Sequence, residues 1–250
     1  MSPEVALVTG AAGGLGSAIA AELASRGWSL VLTDRPGVEL AGLLSELRSA
    51  HPAGVFSGLN ADLADPEQLN ELVRAAGHLD CLINNAALPS SARLGEMTVL
   101  EWDQVLNINL RAPMLLMQAV VRVFAAQGTG GSIVNVASRV WATGGPAAYV
   151  AAKAGLVGLT HAAAFEFGAL GVRVNAVAPS AVETAFTASS RSAAALADFH
   201  GRQAAMSALG RAPVVHEIAT SVAFLAGTDS SFVTGEVLHV CGGLQLAPMP

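Results

Sequence analysis

The stretch TGAAGGLG at residues 9–16 follows a short apolar run, Val5–Thr9, and opens a segment with helical spacing, Gly14–Arg26. In this context the glycines allow the backbone to turn tightly between a strand and a helix and to approach a pyrophosphate closely. The N-terminus of the helix then offers free N–H groups and a partial positive charge to an anion. Strand, turn and helix in this order therefore favour a dinucleotide-binding turn over a tight turn without a ligand.

Alternation of strands and helices continues from this turn along the chain. The expected strands are apolar runs at Val5–Thr9, Ser29–Thr33, Val55–Asn60, Asp80–Asn84, Ser132–Ala137, Val172–Ala178 and Val237–Val240. The expected helices cover Gly14–Arg26, Gly37–Ala50, Pro66–Ala76, Val99–Gln127 with a break near Pro113, Ala148–Leu170 and Val214–Ala226. Unbroken apolar strands are typical of a parallel sheet covered on both faces. The predicted fold class is therefore α/β, a single Rossmann-type domain over residues 1–250 with a doubly wound parallel sheet of about seven strands and helices on both faces.

One segment, residues 185–212, is rich in Ala and Ser and only weakly periodic. It has two interpretations, a helical insertion that only packs against the domain and a mobile lid over a substrate. The segment follows a strand end, which is where doubly wound sheets bind their ligands, and this position favours the lid.

Composition limits the partners and the compartment. The net charge is −6 and no basic patch stands out, so neither nucleic acid nor a membrane surface is an expected partner. Charged residues interrupt every long apolar stretch, so no transmembrane helix is predicted, and the N-terminus is interpreted as the first strand and not as a signal peptide. Cys81 and Cys241 lie far apart in apolar runs, so we expect no metal site and a reducing cytoplasm.

Only 13% of the residues are charged. A surface with so few charges indicates an oligomer, in which part of the surface is covered. A simple bias toward Ala and Gly explains the same number equally well, and both interpretations stay open.

Asp34 ends the second expected strand, 18 residues after Gly16. A carboxylate at this position can accept hydrogen bonds from ribose hydroxyls and would repel a 2′-phosphate. This favours NAD over NADP as the cofactor. The neighbouring Arg35 acts in the opposite direction, because its guanidinium can pair with such a phosphate.

Tyr149 and Lys153 are the only tyrosine and the only lysine in the chain. They are four residues apart on an expected helix and therefore share one face. Oxidation of a secondary alcohol needs a base that works near neutral pH, and an ammonium group about 4 Å away can lower a tyrosine pKa from ~10 to ~7. We therefore expect Tyr149 to be an acid–base and Lys153 to activate it.

With these residues the chain resembles the short-chain dehydrogenase/reductase family, and the resemblance covers Val5 to Leu244. The TGxxxGxG motif is matched by Thr9, Gly10, Gly14 and Gly16, and YxxxK is matched by Tyr149 and Lys153. Two family motifs are matched imperfectly, because Ala87 replaces Gly in NNAG and Ser180 replaces Gly in VAPG. The cofactor-binding residues that the resemblance implies are Gly10, Gly13, Gly14, Leu15, Gly16, Asp34, Arg35, Asp62, Leu63, Asn85, Ala86, Ala87, Tyr149, Lys153, Pro179, Val182 and Thr184.

The resemblance also implies a mechanism with four catalytic residues, Asn109, Ser138, Tyr149 and Lys153. Tyr149 would exchange the alcohol proton, Ser138 would donate a hydrogen bond to the substrate oxygen, and Asn109 would hold a water in a proton relay. Other roles stay open for some positions. Asn109 also fits a helix-end cap, Ser138 a turn residue and Thr184 an N-cap. Asn84 and Asn85 also fit a purely structural link between the sheet and the neighbouring turn.

Family position predicts a substrate pocket whose members are mostly apolar. They are Leu88, Pro89, Val140, Trp141, Ser180, Ala181 and Phe186. The interval from Ser138 to Tyr149 is 11 residues, shorter than is usual in the family, and it contains Trp141. The expected substrate is therefore a largely apolar or cyclic secondary alcohol or ketone, and Arg93 and Arg139 are the candidate partners for a carboxylate.

Several other functions compete with that of an NAD-dependent alcohol dehydrogenase. The motif layout is also close to 3-oxoacyl-carrier-protein reductases, although Asp34 argues against the NADP use that is common in that group. An enoyl reductase is disfavoured because such relatives space Tyr and Lys more widely. A non-catalytic NAD sensor or a methyltransferase-like protein would not need Ser138, Tyr149 and Lys153 together. By resemblance, the apolar helices Val99–Gln127 and Ala148–Leu170 predict a homotetramer or homodimer.

Overall fold

The computed structural model describes residues 3–90, 92–188 and 192–246. Within these residues a seven-stranded sheet has the order β3-β2-β1-β4-β5-β6-β7, and every neighbouring pair is parallel. The strands are β1 Val5–Thr9, β2 Ser29–Thr33, β3 Phe56–Gly58, β4 Cys81–Asn84, β5 Gly131–Val136, β6 Val172–Pro179 and β7 Val237–Val240. The predicted doubly wound parallel sheet is therefore confirmed.

Helices lie on both faces of this sheet. They are α1 Gly14–Ser25, α2 Ala41–Ala50, α3 Pro66–Ala76, α4 Val99–Leu106, α5 Ala112–Gln127, α6 Val140–Thr143, α7 Ala147–Phe167, α8 Ala185–Ala188, α9 Ala193–Met206 and α10 Val215–Ala226. One apolar cluster joins α1, α2 and α10 to one face, and a second joins α3, α5 and α7 to the other. Both faces of the central strands are buried, which explains why these strands are apolar at every position.

The order of the strands reverses between β1 and β4. From β1 the chain adds β2 and β3 on one side and then crosses back to place β4 on the other. In an open parallel sheet this reversal leaves a crevice outside the carboxyl ends of the strands, where ligands bind. The turn at residues 9–16 lies at the carboxyl end of β1 and therefore at this crevice.

Apart from shifts of one to three residues at the ends of several helices and strands, three elements differ from the sequence-based prediction. Helix α2 begins at Ala41 and not at Gly37, because Gly37 adopts a φ of +84° that a helix does not allow. The expected break near Pro113 is a π-helical turn, Asn107–Arg111, which joins α4 to α5. Pro113 itself lies in the first turn of α5, where the missing N–H costs little. The short helix α6 was not predicted.

By length and composition alone, the continuous helical stretch Val99–Gln127 could cross a membrane. In the fold, its α5 segment packs Leu116, Val120 and Phe124 into the second apolar cluster. This packing is typical of a core helix in a domain of this kind. The expectation that the chain has no membrane partner stays a prediction.

Candidate active site

The glycines of the turn at residues 9–16 are required by close contacts. Gly10 has a φ of +63°, and a Cβ atom there would lie 2.8 Å from the Cα of Ala86. A Cβ on Gly16 would collide with the carbonyl oxygen of Gly10, and a Cβ on Gly14 would lie 3.0 Å from Cγ2 of Thr184. Gly13, the N-cap residue of α1, has no side chain with which to cap the helix. The first N–H groups of α1 are thus left for a ligand, which fits the pyrophosphate of a dinucleotide.

Thr9 and Asn85 fix this turn to the end of β4. The amide nitrogen of the Asn85 side chain donates to the carbonyl oxygens of Thr9 and Gly10, at 2.9 and 3.1 Å. The hydroxyl of Thr9 accepts from the backbone N–H groups of Asn85 and Ala86, both at 3.0 Å. Asn85 therefore has the structural linking role that the sequence left open, and it has this role beside the proposed cofactor site.

Asp34 faces the same turn. Its Oδ2 accepts from the backbone N–H of Ala12 at 3.0 Å, and its Oδ1 accepts from the N–H of Arg35 at 2.9 Å. The carbonyl of Asp34 accepts from the N–H of Ala61, which places the Asp62-Leu63 pair next to the end of β2. The structure thus brings together the residues expected around an adenosine.

Ser138, Tyr149 and Lys153 meet beyond the end of β5. Ser138 follows this strand, and Tyr149 and Lys153 lie one turn apart on α7. The Ser138 hydroxyl lies close enough to the Tyr149 phenol to lower the pKa of this phenol. The Lys153 Nζ lies 5.6 Å from the centre of the Tyr149 ring and donates to the carbonyl oxygen of Val136 at 2.7 Å. The three side chains thus form one group, as the sequence predicted.

Burial shifts the pKa of Lys153 and the pKa of Tyr149 in opposite directions. Lys153 is only 2% exposed, and burial lowers its pKa to about 8. Burial raises the pKa of Tyr149 to about 12, and the Ser138 hydroxyl opposes this rise. The expectation that Lys153 brings the pKa of Tyr149 down to ~7 is therefore wrong for the protein by itself. Desolvation of the phenolate outweighs a cation that lies beside the ring and is directed at a backbone carbonyl.

Asn109 lies in the π-helical turn and is fully buried. Its Oδ1 accepts from the N–H of Leu88 at 2.7 Å, and its Nδ2 donates to the carbonyl of Leu88 at 2.9 Å. The side chain therefore holds the segment after β4 against the helix, and a part in a proton relay stays a prediction.

Two of the residues expected around the substrate, Phe186 and Trp141, have different surroundings. The Phe186 ring centre, on α8, lies 6.1 Å from that of Tyr149, so this side chain borders the acid–base directly. Trp141 instead packs 6.1 Å from His239, centre to centre, and against the small apolar cluster around Val157. Two residues expected to bind the cofactor lie near this region: Val182 is buried, and Cγ2 of Thr184 lies so near the glycine turn that a Cβ atom on Gly14 would be 3.0 Å from it.

Sequence reasoning missed a buried polar chain that supports the site. The Asn84 side chain donates to Oδ1 of Asn135 at 2.8 Å, and Asn135 donates to the hydroxyl of Thr160 at 2.9 Å. These bonds connect β4, β5 and α7, the element that carries Tyr149 and Lys153. The one available signal was an asparagine in the otherwise apolar strand at Ile133–Val136.

Comparison with known proteins agrees with this geometry. A family model described as enoyl-(acyl carrier protein) reductase matches residues 10–245. A hydroxy(phenyl)methyl-succinyl-CoA dehydrogenase subunit of Thauera aromatica is 34% identical, over 97% of this chain and 96% of its own. A 3-oxoacyl-(acyl-carrier-protein) reductase of Thermotoga maritima is 36% identical, over 97% and 98%. The crystal structure of an actinorhodin polyketide ketoreductase variant with NADPH superposes with a TM-score of 0.90 at 34% identity, covering 97% of each chain.

The chain belongs to the short-chain dehydrogenase/reductase family. This is a family of oxidoreductases that bind a nicotinamide cofactor and act on small molecules.

The low pKa of Lys153 gives a testable pH dependence of stability. Between pH 8 and 10.5 the unfolded lysine binds more protons than the folded one, so the free energy of unfolding should rise with pH in this window. Relative to Lys153→Met, the wild-type protein should gain about 2 kcal/mol between pH 7.5 and 9.5, measured by urea unfolding without cofactor. A pH-independent difference between the two proteins would contradict this assignment.

Proposed function

We propose that the protein is an NAD-dependent oxidoreductase that interconverts a secondary alcohol and a ketone on a largely apolar or cyclic substrate. The observation that carries the proposal is the group formed by Tyr149, the neighbouring Ser138 and the buried Lys153 beside the Tyr149 ring. This group lies at the carboxyl edge of the same sheet as the uncapped glycine turn. A bound nicotinamide would supply the hydride acceptor, and the protein supplies orientation and acid–base chemistry.

In this proposal Tyr149 accepts the alcohol proton during oxidation and returns it during reduction. Ser138 donates a hydrogen bond to the substrate oxygen and stabilises the charge that develops on it. Lys153 holds a positive charge near the phenol at neutral pH, since its pKa of about 8 keeps most molecules protonated at pH 7. Because the pKa of Tyr149 is raised in the protein alone, additional positive charge in the assembled site is needed for proton removal near neutral pH.

The position of Asp34 supports NAD as the preferred cofactor. The Asp34 carboxylate is held against the glycine turn by Ala12, where it can accept from ribose hydroxyls and repel a 2′-phosphate. One carboxylate is enough to disfavour NADP, because two like charges ~4 Å apart repel each other by about 4 kcal/mol near a protein surface. The ketoreductase with NADPH shows that relatives of this fold also take the phosphorylated cofactor, so NADP is the second candidate.

A 3-oxoacyl reductase is the alternative activity, and it is favoured by the 36% identity to the Thermotoga maritima enzyme of that name. It would use the same group of Ser138, Tyr149 and Lys153, so it differs in substrate and not in chemistry. A non-catalytic NAD sensor is the remaining alternative. The proposed location is the cytoplasm, with no nucleic acid or membrane partner.

Residues 185–188 and 192–212 are proposed as the substrate lid. Helix α8 brings Phe186 against Tyr149, and Gln203 on α9 accepts a hydrogen bond from Arg139, the residue after Ser138. Residues 189–191 of the expected lid lie outside the described residues. The proposal also keeps the other predicted members of the substrate pocket, which are Leu88, Pro89, Val140, Trp141, Ser180 and Ala181.

A homotetramer or a homodimer is proposed as the assembly. Apolar side chains on α4 and α7 are strongly exposed in the single chain, among them Val99 at 76%, Leu100 at 68% and Phe165 at 93%. Covering such side chains in an interface between copies stabilises an oligomer through apolar burial. Light scattering at micromolar concentration should therefore give two or four times the mass of the chain, and a monomer would contradict the proposal.

Replacement of Tyr149 by Phe tests the activity. It removes only the hydroxyl, so turnover of secondary alcohols with NAD should fall by about 10²–10⁴-fold or more while NAD affinity stays unchanged. The measurements are reduced-nicotinamide absorbance over a panel of secondary alcohols and ketones, and cofactor binding by fluorescence. Turnover that survives in Tyr149→Phe would show that Tyr149 is not the acid–base. Tight NAD binding without turnover by the wild-type protein on the whole panel would favour the sensor.

Replacement of Asp34 by Asn tests the cofactor preference. The amide keeps an acceptor for the N–H of Ala12 but loses the charge, so the ratio of kcat/KM with NADP to that with NAD should rise at least ~10-fold. Arg35→Gln is the matched control, because removal of its positive charge should not favour NADP. An unchanged ratio in Asp34→Asn would mean that this carboxylate does not discriminate between the cofactors.

A further inference from the structure

Arg139 follows Ser138 directly in the chain and begins the turn into α6. Its backbone N–H donates to the carbonyl of Pro179 at 3.0 Å, which ties this turn to the end of β6. Consecutive Cα atoms are about 3.8 Å apart, so the base of the Arg139 side chain is close to the proposed oxygen-binding hydroxyl of Ser138.

The guanidinium of Arg139 is partly buried and has neutral partners. It donates to the hydroxyl of Thr143 at 3.0 Å and to Oε1 of Gln203, on α9, at 3.0 Å. Among the residues that the structure describes, no carboxylate lies within 4.0 Å of it, whereas the exposed Arg26, Arg202 and Arg211 each have one. Burial lowers the pKa of Arg139, which reflects the cost of desolvating this charge. A guanidinium stays charged in proteins, and a desolvated charge is normally compensated by an opposite one.

Other polar groups near this turn are buried without a partner. Ser180, directly after the Pro179 that holds Arg139, is 5% exposed, and its hydroxyl has no hydrogen-bond partner among the described residues. The same holds for Nε1 of Trp141 and Nε2 of His239, whose rings pack against each other. Since buried polar atoms are nearly always satisfied, such a concentration at the carboxyl ends of β5, β6 and β7 indicates a polar ligand group.

We propose that Arg139 is a specificity-determining residue that binds a carboxylate carried by the substrate. The inference rests on the proposed alcohol–ketone chemistry and makes it narrower: the substrate is an apolar or cyclic secondary alcohol that is also a carboxylic acid. Arginine has five N–H donors, and the bonds to Thr143 and Gln203 leave donors for a carboxylate. Because Arg139 adjoins Ser138 in the chain, the proposal places the carboxylate on the body of the substrate and not on a distant carrier group.

The bond to Gln203 adds a link to α9. Gln203 is 8% exposed and reaches the guanidinium from the proposed lid, so Arg139 contacts the turn after Ser138 and the lid at once. A carboxylate bound here would therefore be enclosed between the catalytic group and α9, where water competes least for its hydrogen bonds.

The test compares matched substrates in the wild-type enzyme and in Arg139→Gln. Each substrate pair is a cyclic hydroxy acid, such as 3-hydroxycyclohexanecarboxylate, and its methyl ester, assayed by NAD reduction. The wild-type enzyme should prefer the acid, and Arg139→Gln should lose about 10–100-fold in kcat/KM for the acid, mainly through KM, with little change for the ester. Arg139→Lys should recover part of the loss. Arg202→Gln, which removes an equally charged but exposed side chain from α9, is the matched control and should change neither substrate.

Binding of cyclohexanecarboxylate, which carries no alcohol, tests the site without turnover. Calorimetry on the complex with NAD should show binding to the wild-type protein that Arg139→Gln loses. Equal losses for acid and ester, no preference for the acid in the wild-type enzyme, or equal binding of cyclohexanecarboxylate to both proteins would overturn the proposal. Turnover of the esters in each of these cases would leave the alcohol–ketone activity standing. Absence of turnover with every substrate, with carboxylate binding intact, would instead overturn the activity and keep the carboxylate site.

Discussion

The hydrogen bonds from Asn85 to the carbonyl oxygens of Thr9 and Gly10 are the contacts on which the site depends. They cross the point at which the strand order reverses, and they fix the turn after β1 to the segment after β4, directly beyond the ends of these two paired strands. The Thr9 hydroxyl completes the connection by accepting from the segment that follows β4. The glycine turn can approach a ligand closely only because its carbonyl groups are satisfied from this side and its N–H groups stay available on the other.

A second constraint is the burial of charge at Lys153. A lysine that is 2% exposed is costly, and its hydrogen bond to the carbonyl of Val136 compensates only part of the desolvation. The same low-polarity surroundings raise the pKa of Tyr149, so the resting site contains a neutral phenol and a cation that loses its proton readily. Tyr149 and Lys153 can therefore exchange a proton in either direction. In the proposed function, the charge of the bound cofactor and substrate decides whether Tyr149 takes up or releases the proton. The chain uses its single lysine where a compact charge must be desolvated and uses arginine elsewhere.

The sequence predicted the fold almost completely because strand, turn and helix alternate with clear signals. The bounds of β1, β2, β7 and α3 agree with the structure residue for residue. The meeting of Ser138, Tyr149 and Lys153 was also predictable, since rare residue types at a fixed helical spacing lie on one face. What could not be predicted depends on contacts between distant residues. The bond from Arg139 to Gln203 joins positions 64 apart, and the Asn84–Asn135 bond joins positions 51 apart. The pKa of Tyr149 was wrong in direction because spacing on a helix does not reveal how much water reaches the phenol.

The π-helical turn at Asn107–Arg111 fixes the number of residues between α4 and α5. A π turn holds more residues than an α turn, so the extra residue is accommodated within one continuous helix. Loss of one residue here would convert the wide turn into an ordinary α turn, so α4 and α5 would keep the faces that they present. Leu116, Val120 and Phe124 would still reach the second apolar cluster, but the widened turn that brings Asn109 to Leu88 would be lost. The extra residue of this turn therefore serves the placement of Asn109 and not the packing of α5.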